Sequence, residues 1–442
     1  MKIREIRAAA VRNATPLGRS DAPIPSWLTS ADTVNPLSRY REFMGQGLRF
    51  HPPWQDLICI ATAEDGTWGM SMSTHAGPVV PIINDYLAPL LAGESALATE
   101  RVWNMMVRCS GAMIGASGPA SYAVSAVDLA LWDLTGCGKT PPVAGHAPFR
   151  ATLRCETLLG LAPAAVPRLD WSENPRTGLG PEFFRNLLKG KLFGRPVYEL
   201  IGGPARDRIH CYATGNDVEH QLELGFDAIK LVCEWGAAEG NRAIRETETL
   251  VAGARERLGN DGALMIDLWP VQDAQHTVEL GNALRPYRLK WLEDPVFPED
   301  WGSYREVRQR LPWQTLAAGE RWYTDRAFQH AAEDRIVDIF QPDVVWAGGV
   351  TGAMKIAAIA ESAGLEIAMH TGCNDAYGQH LCHALPGNRW GEFAVTAGRG
   401  ASLMDNYRAT PGMALPIDGH VVPSDAPGFG IEMTLQAIEA AT

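Results

Sequence analysis

Over its second half this chain alternates short apolar, β-branched runs with longer amphipathic stretches. From Arg208 onward the runs read RIHCYAT, AIKLVCEW, LMIDLW, LKWLEDP, TLAAGE, IVDIFQPDVVW, LEIAMHTG and GEFAV. Between them lie helical patterns such as NRAIRETETLVAGARERLG and TGAMKIAAIAESAG, each closed by the glycine expected at a helix C-terminus. Strands this continuously apolar are covered on both faces, so the pattern predicts βα units around a parallel sheet. Eight such runs in about 190 residues predict an α/β fold of the (β/α)8-barrel type, residues 189–410.

The first 134 residues follow a different rhythm. IREIRAAAV and LICIATAEDGTWGMSMST predict antiparallel strands around a turn at Asp65–Gly66, and VVPIINDYLAPLL and SAVDLALWDL predict helices. That is an α+β capping domain over 1–134. The tail, 411–442, returns to strand and turn character in VVPSDAPGFGIEM and is expected to pack back on the cap. Residues 135–188 fit neither rhythm. They carry seven prolines and no sustained period, where LALWDL and KGKLFGRPVYELIGG would otherwise join into one helix. The stretch reads as a surface excursion, or as sequence the mature protein lacks, such as translated intron. Its GCGKT mimics a phosphate loop, but Asp133 stands where that loop needs glycine and two prolines stand where its helix should begin.

Composition narrows the class. A chain of 442 residues with 46% hydrophobic and 20% charged residues can bury two sizeable cores. A net charge of −12 argues against a nucleic-acid surface, which needs a basic face to displace counterions. Eight scattered cysteines without a CxxC pair read as free thiols in a reducing, cytoplasmic setting. MKIREIRAAAVRN lacks the apolar run of a signal peptide, and no run of 18 apolar residues predicts a membrane span.

The chemistry gathers at strand ends. Asp267 closes LMID, Glu293 closes LKWLE and Glu320 closes TLAAGE, at gaps of 26 and 27 residues, one βα unit each. Acids at the C-terminal ends of neighbouring apolar strands face the end where such barrels place their sites. Each alone could cap a helix or pair with an arginine. In register, three oxygen donors without thiolate or imidazole suit a hard cation, Mg²⁺ before Mn²⁺ or Ca²⁺. The beat continues with Asp343 in QPD and His370 in AMHTG, 27 residues apart. A carboxylate one unit before a histidine can fix its tautomer and make it a general base, although a lone strand-end histidine is often only structural. Glu392 in GEFAV lies at the same level, and Lys230 in AIKLV either offsets this negative charge or is merely solvated.

These motifs, with SAVDLALWDL, GRPVYELIGG, GFDAIK and QPD, resemble the enolase superfamily in its mandelate racemase/muconate lactonizing enzyme branch. NPLSRYREF, YATG, LKWLEDP, IFQPDVVWAGGVT and PGFGIE resemble the acid-sugar dehydratases of the L-rhamnonate type within it. A Lys or His base working with Mg²⁺ is that superfamily's known pattern and is not shown by the spacing itself. The resemblance implies a lyase acting on a small acid sugar: His370 takes the C2 proton, Mg²⁺ stabilises the enediolate, the 3-hydroxyl leaves, and a 2-keto-3-deoxy acid results. It also implies that Glu392 hydrogen-bonds the enediolate, that Lys230 is catalytic, and that the chain is a homo-oligomer. Many relatives carry Lys-x-Lys on the second strand, but Val232 holds the second place here, favouring a one-histidine elimination over a two-base racemisation. The dehydratases place a histidine and an arginine in the N-terminal loops, where this chain has Trp27 and, displaced by two, Arg49; Arg321 follows Glu320 where they carry a histidine. Those three residues are the substrate-binding candidates. Epimerisation, dehydration of a different aldonate, and an inactive barrel are the competing expectations.

Overall fold

The structure is a computed structural model that describes residues 1–12, 37–38, 40–43, 52–136, 194–269, 272–400, 402–406 and 408–442. Trp27, Arg49 and nearly all of the proline-rich stretch lie outside the described residues; Thr135 and Gly136 at its start belong to a buried helix end.

The cap is built on a three-stranded antiparallel sheet of β1 (Ile3–Ala10), β2 (Leu57–Ala63) and β3 (Trp68–Ser73). The β2–β3 turn falls at the expected Asp65–Gly66, with Gly66 at φ +83° and the Asp65 carboxylate accepting the Thr67 N–H at 3.0 Å. Helical turns at Ala76–Pro81, Ile82–Leu87 and Ala88–Leu91 follow, then α1 (Thr99–Met113) and α2 (Pro119–Gly136). The α2 helix is buried nearly all round, because it lies between the cap sheet and the barrel.

The barrel strands are β4 (Ile209–Thr214), β5 (Ala228–Val232), β6 (Ala263–Asp267), β7 (Leu292–Glu293), β8 (Leu316–Ala318), β9 (Ile339–Phe340), β10 (Glu366–Ile367) and β11 (Trp390–Ala394). They pair in parallel in the order β10-β9-β8-β7-β6-β5-β4-β11, and a bridge from Ile367 to Asn388 brings the curled sheet round towards its other edge. Between them run α3 (Val218–Glu223), α4 (Asn241–Leu258), α5 (Ala274–Leu284), α6 (Trp301–Arg310), α7 (Asp325–Asp334), α8 (Gly349–Ala363) and α9 (Ala376–Ala384). The start signals are local: Asp217, Asp273, Asp300 and Asp375 each accept a backbone N–H from the first turn of their helix. The α4 and α8 helices end on Gly259 and Gly364, both at positive φ, as their sequences predict.

Beyond β11, β12 (His420–Val421) pairs antiparallel to the start of β4, and α10 (Leu435–Ala441) closes the chain. Ile438 and Ala441 of this tail pack with Ile58, Met70 and Met72 on one face of the cap sheet. Cap and barrel also share polar contacts. The α8 helix begins on a glycine with no side chain to cap it, and α2 supplies the acceptors: Ser125 Oγ takes the Gly348 N–H at 2.8 Å and Asp128 the Thr351 N–H at 3.0 Å. No helix among the described residues is long and apolar enough to cross a membrane, and the described cysteines form no disulfide.

Candidate active site

Inside the barrel Tyr212, Ala228, Met265, Trp291, Ala317, Ile339 and Ala368 form one buried apolar layer, with Trp390 partly buried against it. In a strand, side chains two residues apart share a face. Stepping two residues from this layer towards the C-terminal ends gives Thr214, Lys230, Asp267, Glu293, Gln341, His370 and Glu392. The polar site is therefore the next storey of the same barrel, resting on a floor of packed side chains.

Asp267 and Glu293 are register partners on neighbouring strands. Glu320 does not end its strand as expected. It lies two residues beyond β8, after Gly319 at φ +138°, a conformation that favours glycine and turns the chain inward. Asp343 and His370 likewise sit three residues past β9 and β10, and Lys230 and Glu392 are mid-strand, the third of five residues in β5 and β11. Trp269, Asp294 and Thr371, next to or two residues from a site side chain, all adopt positive φ, strain of the kind that persists where surrounding structure imposes it.

The carboxylates of Asp267, Glu293 and Glu320 each offer an oxygen within 4.8 Å of the others, all buried. Trp269 N–H donates to Asp267 at 2.8 Å, while Trp291 Nε1 and Gln341 Nε2 donate to Glu293 Oε2 at 3.0 and 2.6 Å. These bonds leave the acids oriented rather than free to turn. Lys230, 1% exposed, pairs with Glu293, lies 2.8 Å from Glu392 Oε1 and is 3.8 Å from Asp267. Burial opposes its charge, but the surrounding acids outweigh burial and hold it protonated. Burial pushes Glu293 up to about 7 despite Lys230. Burial also pushes Glu392 upward, yet Lys230, His370 and the Thr214 hydroxyl, 2.6 Å away, bring it down to about 2.

His370 joins the two halves. Its Nδ1 is 2.7 Å from Asp343 Oδ2, and its Nε2 is 2.8 Å from Glu320 Oε2 and so faces the acid triad. Burial disfavours the imidazolium, but Asp343 and then Glu392 raise its proton affinity overall. Asp343 is pushed up by burial and held below the usual carboxylate range by Arg408 and His370. Arg321 pairs with Glu320 and reaches Asp294 at 3.2 Å, its guanidinium 5.9 Å from the Trp269 ring centre. Six carboxylates here (Asp267, Glu293, Asp294, Glu320, Asp343 and Glu392) thus face three fixed cations, Lys230, Arg321 and Arg408. That imbalance and an all-oxygen donor set fit a hard divalent cation. Sequence reasoning missed Thr214, Trp291, Gln341 and Arg408. The first three carried a signal, their even spacing from interior residues; Arg408 carried none.

Comparison with known proteins agrees with the two-part fold. The model of the enolase C-terminal domain-like family matches residues 214–437, and that of the mandelate racemase/muconate lactonizing enzyme N-terminal domain matches 54–145. The chain is 28% identical to an L-rhamnonate dehydratase of Saccharopolyspora erythraea, over 98% of this chain and 97% of that one. The structure is similar to that of rhamnonate dehydratase from Gibberella zeae complexed with Mg, at TM-score 0.77 and 23% identity, covering 99% of this chain and 95% of that one. It is also similar to a racemase of Streptomyces coelicolor A3(2) with bound magnesium, at TM-score 0.69 and 21% identity, covering 99% of each chain. With its cap and its barrel each matched by the corresponding model, the chain belongs to the mandelate racemase/muconate lactonizing enzyme family of the enolase superfamily.

Proposed function

We propose that this protein is a Mg²⁺-dependent lyase that dehydrates an acid sugar, an aldonate of the L-rhamnonate type, to a 2-keto-3-deoxy acid. The observation that carries the reading is the His370–Asp343 pair facing the acid triad, with Val232 on the β5 face that a second base would need. A divalent cation held by Asp267, Glu293 and Glu320 would lend positive charge to the substrate carboxylate and so make the adjacent proton easier to remove. The chain's own residues do the rest. His370 Nε2, directed towards the triad, accepts the C2 proton, while Asp343 on Nδ1 holds the ring and stabilises the imidazolium. Glu392 is anchored by Thr214 and by the Thr371 N–H at 2.7 Å, with Lys230 2.8 Å away. The proton on His370 then leaves with the 3-hydroxyl as water. Arg321, with Trp27 and Arg49, belongs to the substrate-binding part of this reading. The likeness to a dehydratase over nearly the whole length of both chains supports the reaction class.

The test is incubation with Mg²⁺ and a panel of aldonates that includes L-rhamnonate and L-lyxonate, followed by semicarbazide detection of 2-keto-3-deoxy products. Turnover is expected for at least one member and should fall on the order of 10²–10⁴-fold in His370→Asn. A folded protein inert across the panel would sink the reading. Exchange of the α-proton with deuterated water, without loss of water, would assign epimerisation instead.

A further inference from the structure

We propose that Arg408 is a positioning residue of the His370–Asp343 pair; the role rests on His370 being the base. Arg408 lies beyond the last barrel strand, 65 residues after Asp343, yet its Nη1 donates to Asp343 Oδ2 at 2.6 Å, the oxygen that His370 Nδ1 meets at 2.7 Å. The same Nη1 donates to Thr371 Oγ1 at 2.8 Å, on the residue next to the histidine. Both side chains are sequestered, Arg408 at 7% exposure and Asp343 at 0%. The guanidinium also stands 4.8 Å from the ring centre of Trp346, and the His370 ring packs 5.1 Å from that same indole. One arginine thus touches the carboxylate that orients the imidazole, the hydroxyl beside it and the ring that supports it.

The backbone is built to present this side chain. Arg408 has φ +63°, a left-handed conformation uncommon outside glycine and asparagine. On one side Asn406 Oδ1 accepts the Thr396 and Ala397 N–H groups at 2.6 and 2.8 Å, just past β11. On the other, Thr410 Oγ1 accepts the Ala376 N–H at the start of α9, at 3.1 Å. Val345 N–H holds the second Asp343 oxygen at 2.8 Å, so Arg408 completes the fixing of that carboxylate from outside the barrel repeat.

Nitrogen NMR of ¹⁵N-histidine-labelled full-length protein with Mg²⁺, set beside steady-state turnover of the aldonate the wild type consumes, tests this. The His370 signals are assigned by their loss in His370→Asn. Arg408→Gln is expected to shift the Nδ1 signal and to lower kcat on the order of 10–100-fold with KM little changed. Arg408→Lys should recover part of both effects, and Thr371→Val should move kcat in the same direction by less. A folded Arg408→Gln with a wild-type Nδ1 signal and wild-type kcat overturns the proposal. So does a loss confined to KM, which would make Arg408 a substrate contact. If Arg408→Gln does not fold, wild-type behaviour of both Arg408→Lys and Thr371→Val overturns it. Should the wild type turn over no aldonate, the reading of the reaction fails on its own, and the Nδ1 shift still decides whether Arg408 positions the ring.

Discussion

Lys230 is buried among Glu293, Glu392 and Asp267, and the charge of each depends on the others. Replacing it with methionine keeps the volume and strands carboxylates in a region where an unpaired charge costs about 3–5 kcal/mol. Lys230→Met is therefore expected to be less stable by that order in urea unfolding, and to regain part of the loss when Mg²⁺ is added. The triad makes a complementary prediction. Mg²⁺ at 100 times its Kd should stabilise the wild type by about 2.7 kcal/mol, read as a rise in Tm that EDTA reverses. In Asp267→Asn the rise should be much smaller at the same concentration; an equal rise would place the ion elsewhere. Asp267, Glu293 and Glu320 are legible in the sequence because an acid recurs once per βα unit, at a strand end or, for Glu320, two residues past it. Gln341 is only half legible, since a QPD string points to its aspartate first.

At the scale of elements, the cap depends on close approach more than on any single bond. A Cβ on Gly69 of β3 would stand 2.0 Å from the Leu134 backbone nitrogen and 2.5 Å from the Ala130 carbonyl oxygen, neither of which can move aside as a flexible side chain would. Gly69→Ala should cost at least about 1–3 kcal/mol as strand and helix are forced apart. Gly111 of α1 is the control. A Cβ there meets only Ala116 Cβ at 3.6 Å, so Gly111→Ala should be neutral or stabilising by about 0.5–1 kcal/mol. Denaturant midpoints for the pair check both, and equal effects would mean that α2 is not seated against β3. Helix ends such as Gly259 and Gly364 were readable because a cap is a local event. The placement of α2 was not, because its near-uniform apolarity says that it is buried without saying by what.

At the scale of the whole molecule, His380 of α9 gathers three distant segments. Its Nδ1 accepts the Tyr198 N–H at 3.1 Å, and its ring packs 5.3 Å from Phe429 of the tail. Burial, helped by His383, pushes its pKa down to about 3. The unfolded value is about 6.5, so between the two the unfolded chain takes up a proton that the folded chain refuses. Stability from this group is complete above about pH 6.5 and falls with decreasing pH by about 1.4 kcal/mol per unit towards pH 3. Urea unfolding as a function of pH should show this slope in the wild type and a flatter one in His380→Gln. An unchanged slope would mean that other groups carry the acid sensitivity.

What the sequence alone determined is what repeats or acts locally: the barrel beat, the helix ends, the Asp65–Gly66 turn, and the acids recurring once per βα unit. Those follow from side-chain periodicity and from bonds between near neighbours, which need no knowledge of distant chain. Tertiary structure decided which groups share a charge environment. It set Lys230 between the triad and Glu392, carried Glu320, Asp343 and His370 past the ends of their strands, and gave Asp343 to both His370 and Arg408. The reason is physical: burial and opposing charge are properties of a place in space, and only the closed fold brings residues 65 apart to one oxygen.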